Sequence, residues 1–366
     1  FFFTVGLEIT REVVNGQLSS MRKAILPVVA AAGGMVAPAL IFLLFNHGTL
    51  AANGWGIPTA TDIAFAVGIL SMLGDRVPVS LKIFLTALAI ADDLGAILVI
   101  ALFYGGDLQL GLLTIALLVM AGVYVMYRMG EKRMRFYVVP AIAVWGLFYY
   151  SGIHATLSGV AMALLIPMEP RYSKEYFVHK MRWLNDHLLA VEDSNGEFPN
   201  EEHRFYLREM ALLGDRSVAM SYRLEHALTP YVTFLIMPIF ALANAGVEIT
   251  SLEYINIFHF SPEIGSVGMG VFFGLLVGKP LGIFTASWLA VKSKLAVMPE
   301  GATWRMLLAV ACLGGIGFTM SLFVDSLAYT NAGLVDRGKI AILMGSMAAA
   351  VAGSLLILLF AKKQRQ

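Results

Sequence analysis

Apolar runs long enough to cross a membrane recur along this chain of 366 residues, and they restrict its fold more than any other feature. A bilayer core requires about 20 apolar residues in each spanning helix. We therefore predict ten spans, at 24–46, 57–74, 80–104, 109–127, 136–150, 152–168, 227–247, 266–291, 303–328 and 340–361. The run 1–7 resembles the end of a further span whose beginning is missing, because no initiator Met precedes it. The predicted fold class is an all-α polytopic membrane protein.

The composition argues against several other classes of protein. Hydrophobic residues make up 58% of the chain and charged residues only 14%, against about 25% in a soluble domain. A net charge of +1 provides no basic face for nucleic acid. The sequence contains no nucleotide-binding glycine motif, zinc-ligand spacing or nucleophile elbow. We therefore expect neither an enzyme nor a bound cofactor.

The basic residues follow the positive-inside rule. Of the 26 Lys and Arg residues, 22 fall in alternate loops, and only Arg337 and Lys339 fall in the opposite loops. This asymmetry predicts a cytoplasmic C-terminus. It also separates 136–150 from 152–168, because one long helix there would reverse every later loop.

The one long polar stretch, 169–226, is predicted to be a cytoplasmic loop. Its segments 174–190 and 201–225 mix charges with aromatic and Leu residues, which predicts two amphipathic helices. A solvated connector is the simpler interpretation of this loop, and a regulatory or partner-binding segment is the alternative.

Two adjacent aspartates, Asp92 and Asp93, lie in the middle of the apolar run 80–104. Ionisable groups at the bilayer centre cost at least about 2.5–3.5 kcal/mol each, so they are functional candidates. Desolvation and mutual repulsion favour uptake of a proton or a cation by such a pair. Carboxylate oxygens suit hard cations such as Na+ or Li+. The alternative is a structural pair neutralised by neighbouring helices.

Lys279 is the natural counter-charge to these aspartates, since a buried lysine needs a carboxylate partner. An Asp92–Lys279 pair that an arriving cation breaks would couple cation binding to proton movement, whereas a purely structural salt bridge would not. Pro280 should kink the helix beside the lysine. One face of this helix is formed by small residues that permit close helix packing, namely Gly270, Gly274, Gly278 and Gly282.

Two other spans contain residues that interrupt a helix. Thr61 and Asp62 follow a proline in 57–74, and the run 303–328 contains Gly314, Gly315, Gly317 and Thr319. Interrupted segments in the two halves of a transporter indicate its binding site. We expect freed carbonyls and threonine hydroxyls to line an ion path, with Asp62 offsetting the positive ends of half-helices. For the glycines, tight helix packing is the alternative.

The remaining ionisable residues are assigned by position. A charged cytoplasmic mouth is predicted from Glu8, Arg11, Glu12, Arg223, Glu225 and His226, with a solvated surface as the alternative. His154 lies near the outer end of 152–168. A histidine is a candidate for a pH-sensitive role, and a packing residue is the alternative. Lys82 and Asp325 are expected to reach the inner and outer interfaces respectively.

These motifs together resemble the NhaA family of bacterial Na+/H+ antiporters. The likeness covers nearly all of the chain outside 169–220. It rests on seven motifs in one order: 5–8 (VGLE), 61–66 (TDIAFA), 91–96 (ADDLGA), 154–157 (HATL), 240–246 (FALANAG), 278–282 (GKPLG) and 315–321 (GIGFTMS).

The resemblance implies an inverted-repeat, twelve-helix fold in which 57–74 and 303–328 are crossed, unwound helices. It also implies that Asp92 and Asp93 bind the ion and protons, Lys279 pairs with them, and Thr61 and Asp62 belong to the unwound segment. The family's pH-response positions correspond to Glu8, Glu12, His154, Arg223, Glu225 and His226. A homodimer is a further expectation, although the family's dimer contact involves the missing N-terminal connection.

The function implied is electrogenic exchange at the bacterial inner membrane, exporting Na+ or Li+ for a larger number of incoming protons, for pH and sodium homeostasis. The expected partners are Na+, Li+, H+ and the lipid bilayer. By alternating access, Na+ would displace protons from Asp92 and Asp93 on the cytoplasmic side, and rocking of one bundle would expose the site outward.

Three other functions are weaker alternatives. A cation channel could use the same carboxylates, but Lys279 opposes free cation passage. A retinal protein would use Lys279 as its Schiff base, yet that fold has seven spans with the lysine in the last one. An intramembrane aspartyl protease needs its two aspartates on different helices.

Overall fold

The computed structural model describes residues 1–14, 16–105, 108–191, 200–247, 256–258, 260 and 265–360, the side chains of Gln17 and Asp75 excepted. These residues form helices and no β-strand, so the predicted all-helical class is confirmed. In chain order the α-helices are α1 (Phe2–Val14), α2 (Met21–Asn46), α3 (Ile63–Met72), α4 (Val79–Phe103), α5 (Leu110–Arg128), α6 (Arg135–Ser151), α7 (Thr156–Ala163), α8 (Lys174–Ala190), α9 (Glu201–Arg216), α10 (Met220–Tyr231), α11 (Met237–Asn244), α12 (Val267–Phe273), α13 (Lys279–Lys292), α14 (Trp304–Leu313), α15 (Phe318–Ala328) and α16 (Ala332–Phe360).

Many of these helices have the length and composition of membrane spans. Helices α14 and α15, bent by 52° at their junction, together form one candidate span. Seven more stretches of the described chain qualify without such a bend: Met21–Asn46, Ala52–Met72, Val79–Phe103, Leu110–Arg128, Met220–Asn244, Val267–Lys292 and Ala332–Phe360. All of these stretches fall on predicted spans, and the chain is a multi-pass membrane protein.

The predicted spans 136–150 and 152–168 correspond to short helices, and the second is much shorter than predicted. Helix α6 has 17 residues, and α7 has only eight. Eight residues rise about 12 Å, less than half of a bilayer core. The chain leaves α6 at Gly152, whose φ of 83° cannot continue a right-handed helix, and α7 stops shortly before Pro167.

Two further predicted helices differ in extent from the helices of the structure. Helix α16 begins at Ala332, so Arg337 and Lys339 lie on its first turns and not in a loop. The predicted helix 201–225 is divided, because α9 ends at Arg216 and α10 begins at Met220. Residues 192–199 of the predicted loop, and the chain after Phe360 with its basic C-terminus, lie outside the described residues.

Helical structure is interrupted within two of the predicted spans, 57–74 and 303–328. A 3-10 helix covers Ala52–Thr59, residues 60–62 are extended, and α3 follows with Asp62 as its N-cap. Helix α14 ends at Leu313 and α15 begins at Phe318, so residues 314–317 form a second break. We call residues 60–62 the first break and residues 314–317 the second break.

The glycine face predicted around Lys279 packs closely against α2. A Cβ atom on Gly282 would collide with the carbonyl of Gly33, and one on Gly278 would lie 2.7 Å from the Cα of Pro38. A π-helical segment, Gly274–Gly278, joins α12 to α13 directly before Lys279. The widening accompanies Pro280, which has no N–H to donate to the preceding turn.

The chain divides into two compact units. The first consists of Phe1, Glu8–Asp107 and Tyr231–Gln366, and the second of Phe2–Leu7 and Leu108–Pro230. In the first unit, Leu81, Leu85 and Leu88 of α4 are buried in an apolar cluster with residues of α2, α13, α14 and α16. This packing fixes α4, whose next turn carries Asp92 and Asp93. In the second unit, α5, α6 and α7 contribute to a separate apolar cluster.

Candidate ion-binding site

A buried ion pair links α4 to α13 in the first unit. The Nζ atom of Lys279 lies 2.6 Å from Oδ2 of Asp92, and both residues are 1% exposed. The same Nζ atom also donates a hydrogen bond to the carbonyl of Thr59, just before the first break. The structure therefore places Lys279 against the partner that the sequence analysis assigned to it.

Asp92 and Asp93 each retain an oxygen without a hydrogen-bond donor. Oδ1 of Asp92 and Oδ1 of Asp93 are buried and have no partner among the described residues. An unpaired buried carboxylate is costly, because the lost hydration is not replaced. The pair can reduce this cost by taking a proton or by binding a cation, and both ligands would compete for the same oxygens.

The donor set at this pair is small. In the part of the chain that the structure describes, no three His, Cys, Asp or Glu residues are grouped so that they could hold a metal ion. A cation between Asp92 and Asp93 would therefore need backbone carbonyls or water to complete its coordination. Loose coordination of this kind suits a transported alkali cation better than a tightly held transition metal.

Asp62 joins the two breaks. Its Oδ1 accepts a hydrogen bond from the backbone N–H of Phe65 at 3.3 Å and thereby caps α3. Its Oδ2 accepts one from the backbone N–H of Thr319, in the first turn of α15, at 3.1 Å, and another from the Thr319 hydroxyl. One buried carboxylate therefore faces the positive ends of two short helices, where a negative charge is favoured.

Backbone and hydroxyl groups complete this connection. The N–H of Asp62 donates to the carbonyl of Ile316 at 2.6 Å, and the hydroxyl of Thr61 donates to the carbonyl of Gly314 at 2.9 Å. Gly315 is required by the packing, because a Cβ atom there would collide with the carbonyl of Leu275. The breaks are thus held to each other by groups that the interruption of the helices sets free.

Two serines stabilise the region around the breaks. Ser346 lies outside every motif recognised in the sequence, whereas Ser321 ends the motif 315–321 but had no assigned role. The hydroxyl of Ser346 on α16 accepts hydrogen bonds from the N–H groups of Gly317 and Phe318, at 3.2 and 3.1 Å. The hydroxyl of Ser321 on α15 donates to the carbonyl of Ile57 at 2.8 Å. Single serines in apolar runs carry no distinguishing pattern, so only their neighbours in space reveal this role.

The predicted pH-response residues belong to both units. Glu8 lies in the first unit, where it acts electrostatically on Asp93, and Glu12 lies 3.5 Å from Arg11. The second unit contains the others. His154 follows α6, Arg223 pairs with Asp215 at 2.5 Å, Glu225 is buried, and His226 stacks on Tyr222. The charged mouth predicted from these residues stays a prediction.

One assignment from the sequence is wrong. Asp325, expected to reach the outer interface, is fully buried against α16. Its position near the end of an apolar run suggested a route to water, but α16 begins earlier than predicted and covers it.

A bundle of membrane-spanning helices with a charged, buried interior defines a multi-pass membrane protein built around an internal polar site. Comparison with known proteins gives the family. The model of the Na+/H+ antiporter 1 family matches residues 1–357. The chain belongs to this family.

Individual relatives agree with the family match. A Na(+)/H(+) antiporter NhaA from Sulfurovum sp. is 46% identical over 361 residues, which are 98% of this chain and 80% of that protein. One from Acidithiobacillus ferrooxidans is 44% identical, covering 100% of this chain and 83% of the relative. A third, from Syntrophotalea carbinolica, is 43% identical over 96% of this chain and 80% of that protein. All three names describe antiporters, and none describes a channel or a retinal protein.

Proposed function

We propose that this protein exchanges Na+ for H+ across a bacterial inner membrane, and that Asp92 and Asp93 bind both ions. The observation that carries this proposal is the pair of adjacent buried carboxylates, each with an oxygen that lacks a hydrogen-bond partner among the described residues. Proton and cation compete for these oxygens, so binding of one releases the other. Membership in the antiporter family supports the same exchange.

Lys279 is proposed to contribute a second proton to the exchange. Its ammonium group neutralises Asp92 at 2.6 Å while no cation is bound. A Na+ ion that approaches the two aspartates competes with this ammonium for Asp92. If Na+ displaces the proton of Asp93, and Lys279 releases its own proton on losing its partner, more protons than Na+ ions are exchanged. The cycle would then move net charge and respond to the membrane potential.

We further propose that the first and second breaks control the access of ions to Asp92 and Asp93. Thr61, Asp62 and Thr319, together with the freed carbonyls of Gly314 and Ile316, form a polar region within otherwise apolar spans. Crossed, unwound helices of this kind can change their contacts without breaking a regular helix. Alternating access would expose Asp92 and Asp93 first to the cytoplasm, which also holds the C-terminus, and then to the outside.

Selectivity and regulation complete the proposed function. Carboxylate ligands suit Li+ as well as Na+, so both are proposed substrates, and their export would serve pH and sodium homeostasis. Glu8, Glu12, His154, Arg223, Glu225 and His226 are proposed to set the pH dependence. A homodimer is the proposed assembly.

Proteoliposomes with an internal pH dye test this function. We expect that Na+ or Li+ added outside vesicles loaded with neither ion enters in exchange for protons that leave, so the lumen becomes more alkaline, while choline chloride has no such effect. A potassium gradient with valinomycin should change the exchange rate, because the exchange is electrogenic. Cation-independent pH changes, or none with any cation, would contradict the proposal.

A further inference from the structure

A further buried carboxyl group, that of Asp325, lies apart from Asp92 and Asp93. The side chain of Asp325 on α15 is 0% exposed, and neither Oδ1 nor Oδ2 has a hydrogen-bond partner in the described part of the chain. Its neighbours Val324, Tyr329 and Ile340 belong to an apolar cluster. The proposed exchange does not use this residue.

The space around Asp325 is shaped to admit its carboxyl group. The group lies directly against Gly338 of α16, where any Cβ atom would collide with it. Gly338 therefore allows α15 and α16 to close over the acid. The absence of a side chain at Gly338 leaves space for the carboxyl group of Asp325, but Gly338 donates no hydrogen bond to it.

Charged and titratable groups nearby do not neutralise Asp325 directly. From α16, Lys339 and Asp336 act on it electrostatically, but Lys339 donates to the carbonyl of Gly246 at 3.1 Å and lies 4.0 Å from Asp336. The hydroxyls of Tyr329 and Tyr104 donate to the carbonyls of Ala51 and Asn53. The ammonium group of Lys339 and the two tyrosine hydroxyls therefore donate hydrogen bonds to backbone carbonyls and not to Asp325.

We propose that Asp325 is a proton-binding site separate from Asp92 and Asp93, and that the α15–α16 contact holds it as a neutral carboxylic acid. An ionised carboxylate without donors would be strongly destabilised in these surroundings, whereas the neutral acid is tolerated. Loss of the proton would favour separation of α15 from α16 at Gly338. Helix α15 also carries Thr319, six residues earlier and about 9 Å along the helix, so this proton would stabilise the second break as well.

Thermal unfolding of the purified protein in detergent tests this site without any transport assay, so its outcome is independent of the proposed function. The unfolded chain releases this proton in mild acid while the folded protein retains it, so the parent should lose stability as pH rises. Asp325→Asn removes that loss. Relative to the parent, its Tm should be similar near about pH 5 and higher by about 2 °C or more near about pH 9.

Two further variants keep the test decisive. Glu169→Gln, a change of an exposed carboxylate in the second unit, should show no gain in Tm at alkaline pH. Asp325→Leu, which keeps the branching and number of side-chain non-hydrogen atoms, should reproduce the alkaline gain if Asp325→Asn fails to fold. The decisive quantity is the Tm difference between a folded Asp325 variant and the parent. A difference that does not become more favourable to the variant between about pH 5 and about pH 9 would overturn the proposal, because the folded parent would then incur no cost for ionising Asp325.

Discussion

Replacing Lys279 with methionine is expected to lower the stability of the protein by about 3–5 kcal/mol, because it leaves Asp92 buried without its partner. Both members of the pair are 1% exposed, so water cannot take the place of the ammonium group. Methionine preserves most of the length of the side chain. In detergent near neutral pH, we expect Tm to fall by about 5–10 °C.

A double variant separates the charge effect from packing. Asp92→Asn combined with Lys279→Met removes both charges, and we expect it to recover most of the lost Tm. Lys292→Met, at the exposed end of the same helix, is the matched control and should change Tm little. If Lys279→Met unfolds at the parental temperature, or the double variant is less stable than either single one, the ion pair does not stabilise this interior.

Asp93→Asn should abolish Na+-driven proton movement while the protein still folds. The change removes the negative charge but retains the shape, and Oδ1 of Asp93 has no described hydrogen-bond partner to lose. The bound cation needs this buried charge, so its loss should weaken the free energy of cation binding by about 3–5 kcal/mol. This corresponds to a reduction of at least about 100-fold in cation affinity. The assay is the internal pH dye in proteoliposomes, with protein content and Tm matched to the parent.

The control for this variant is a carboxylate outside the site. Glu169→Gln, on an exposed side chain 3.6 Å from Lys132 in the second unit, should exchange at the parental rate. Parental exchange by Asp93→Asn would show that another group binds the ions. Equal loss in both variants would instead indicate a defect of reconstitution.

The centre of the candidate site could be predicted because charge is expensive in a membrane. Asp92, Asp93 and Lys279 are conspicuous in apolar runs, and the need of a buried lysine for a carboxylate suggested their pairing. Glycine and proline also indicated the two breaks, because both residues weaken helices. They do not determine a break by themselves, since α2 continues through Pro27 and Pro38; the polar Thr61 and Asp62 distinguished the first break from such helices.

Other features depend on contacts between distant segments. Asp325 is buried because α16 covers it at Gly338, and an apolar pattern does not show which helix end a neighbour will cover. The first turns of α16 contain Asp336, Arg337 and Lys339 and so resembled a loop. They are helical nevertheless, and Asp336 and Lys339 face each other at the i, i+3 spacing typical of helices.

If Na+ and protons compete for the carboxylates of Asp92 and Asp93, binding of Na+ must release protons from the protein. Calorimetric titration of the detergent-solubilised protein with NaCl, in buffers of different ionisation enthalpy, counts the protons released. We predict release of protons from the parent and none from Asp93→Asn. If the parent binds Na+ without releasing protons, at any pH where exchange occurs, Na+ and protons do not compete for Asp92 and Asp93.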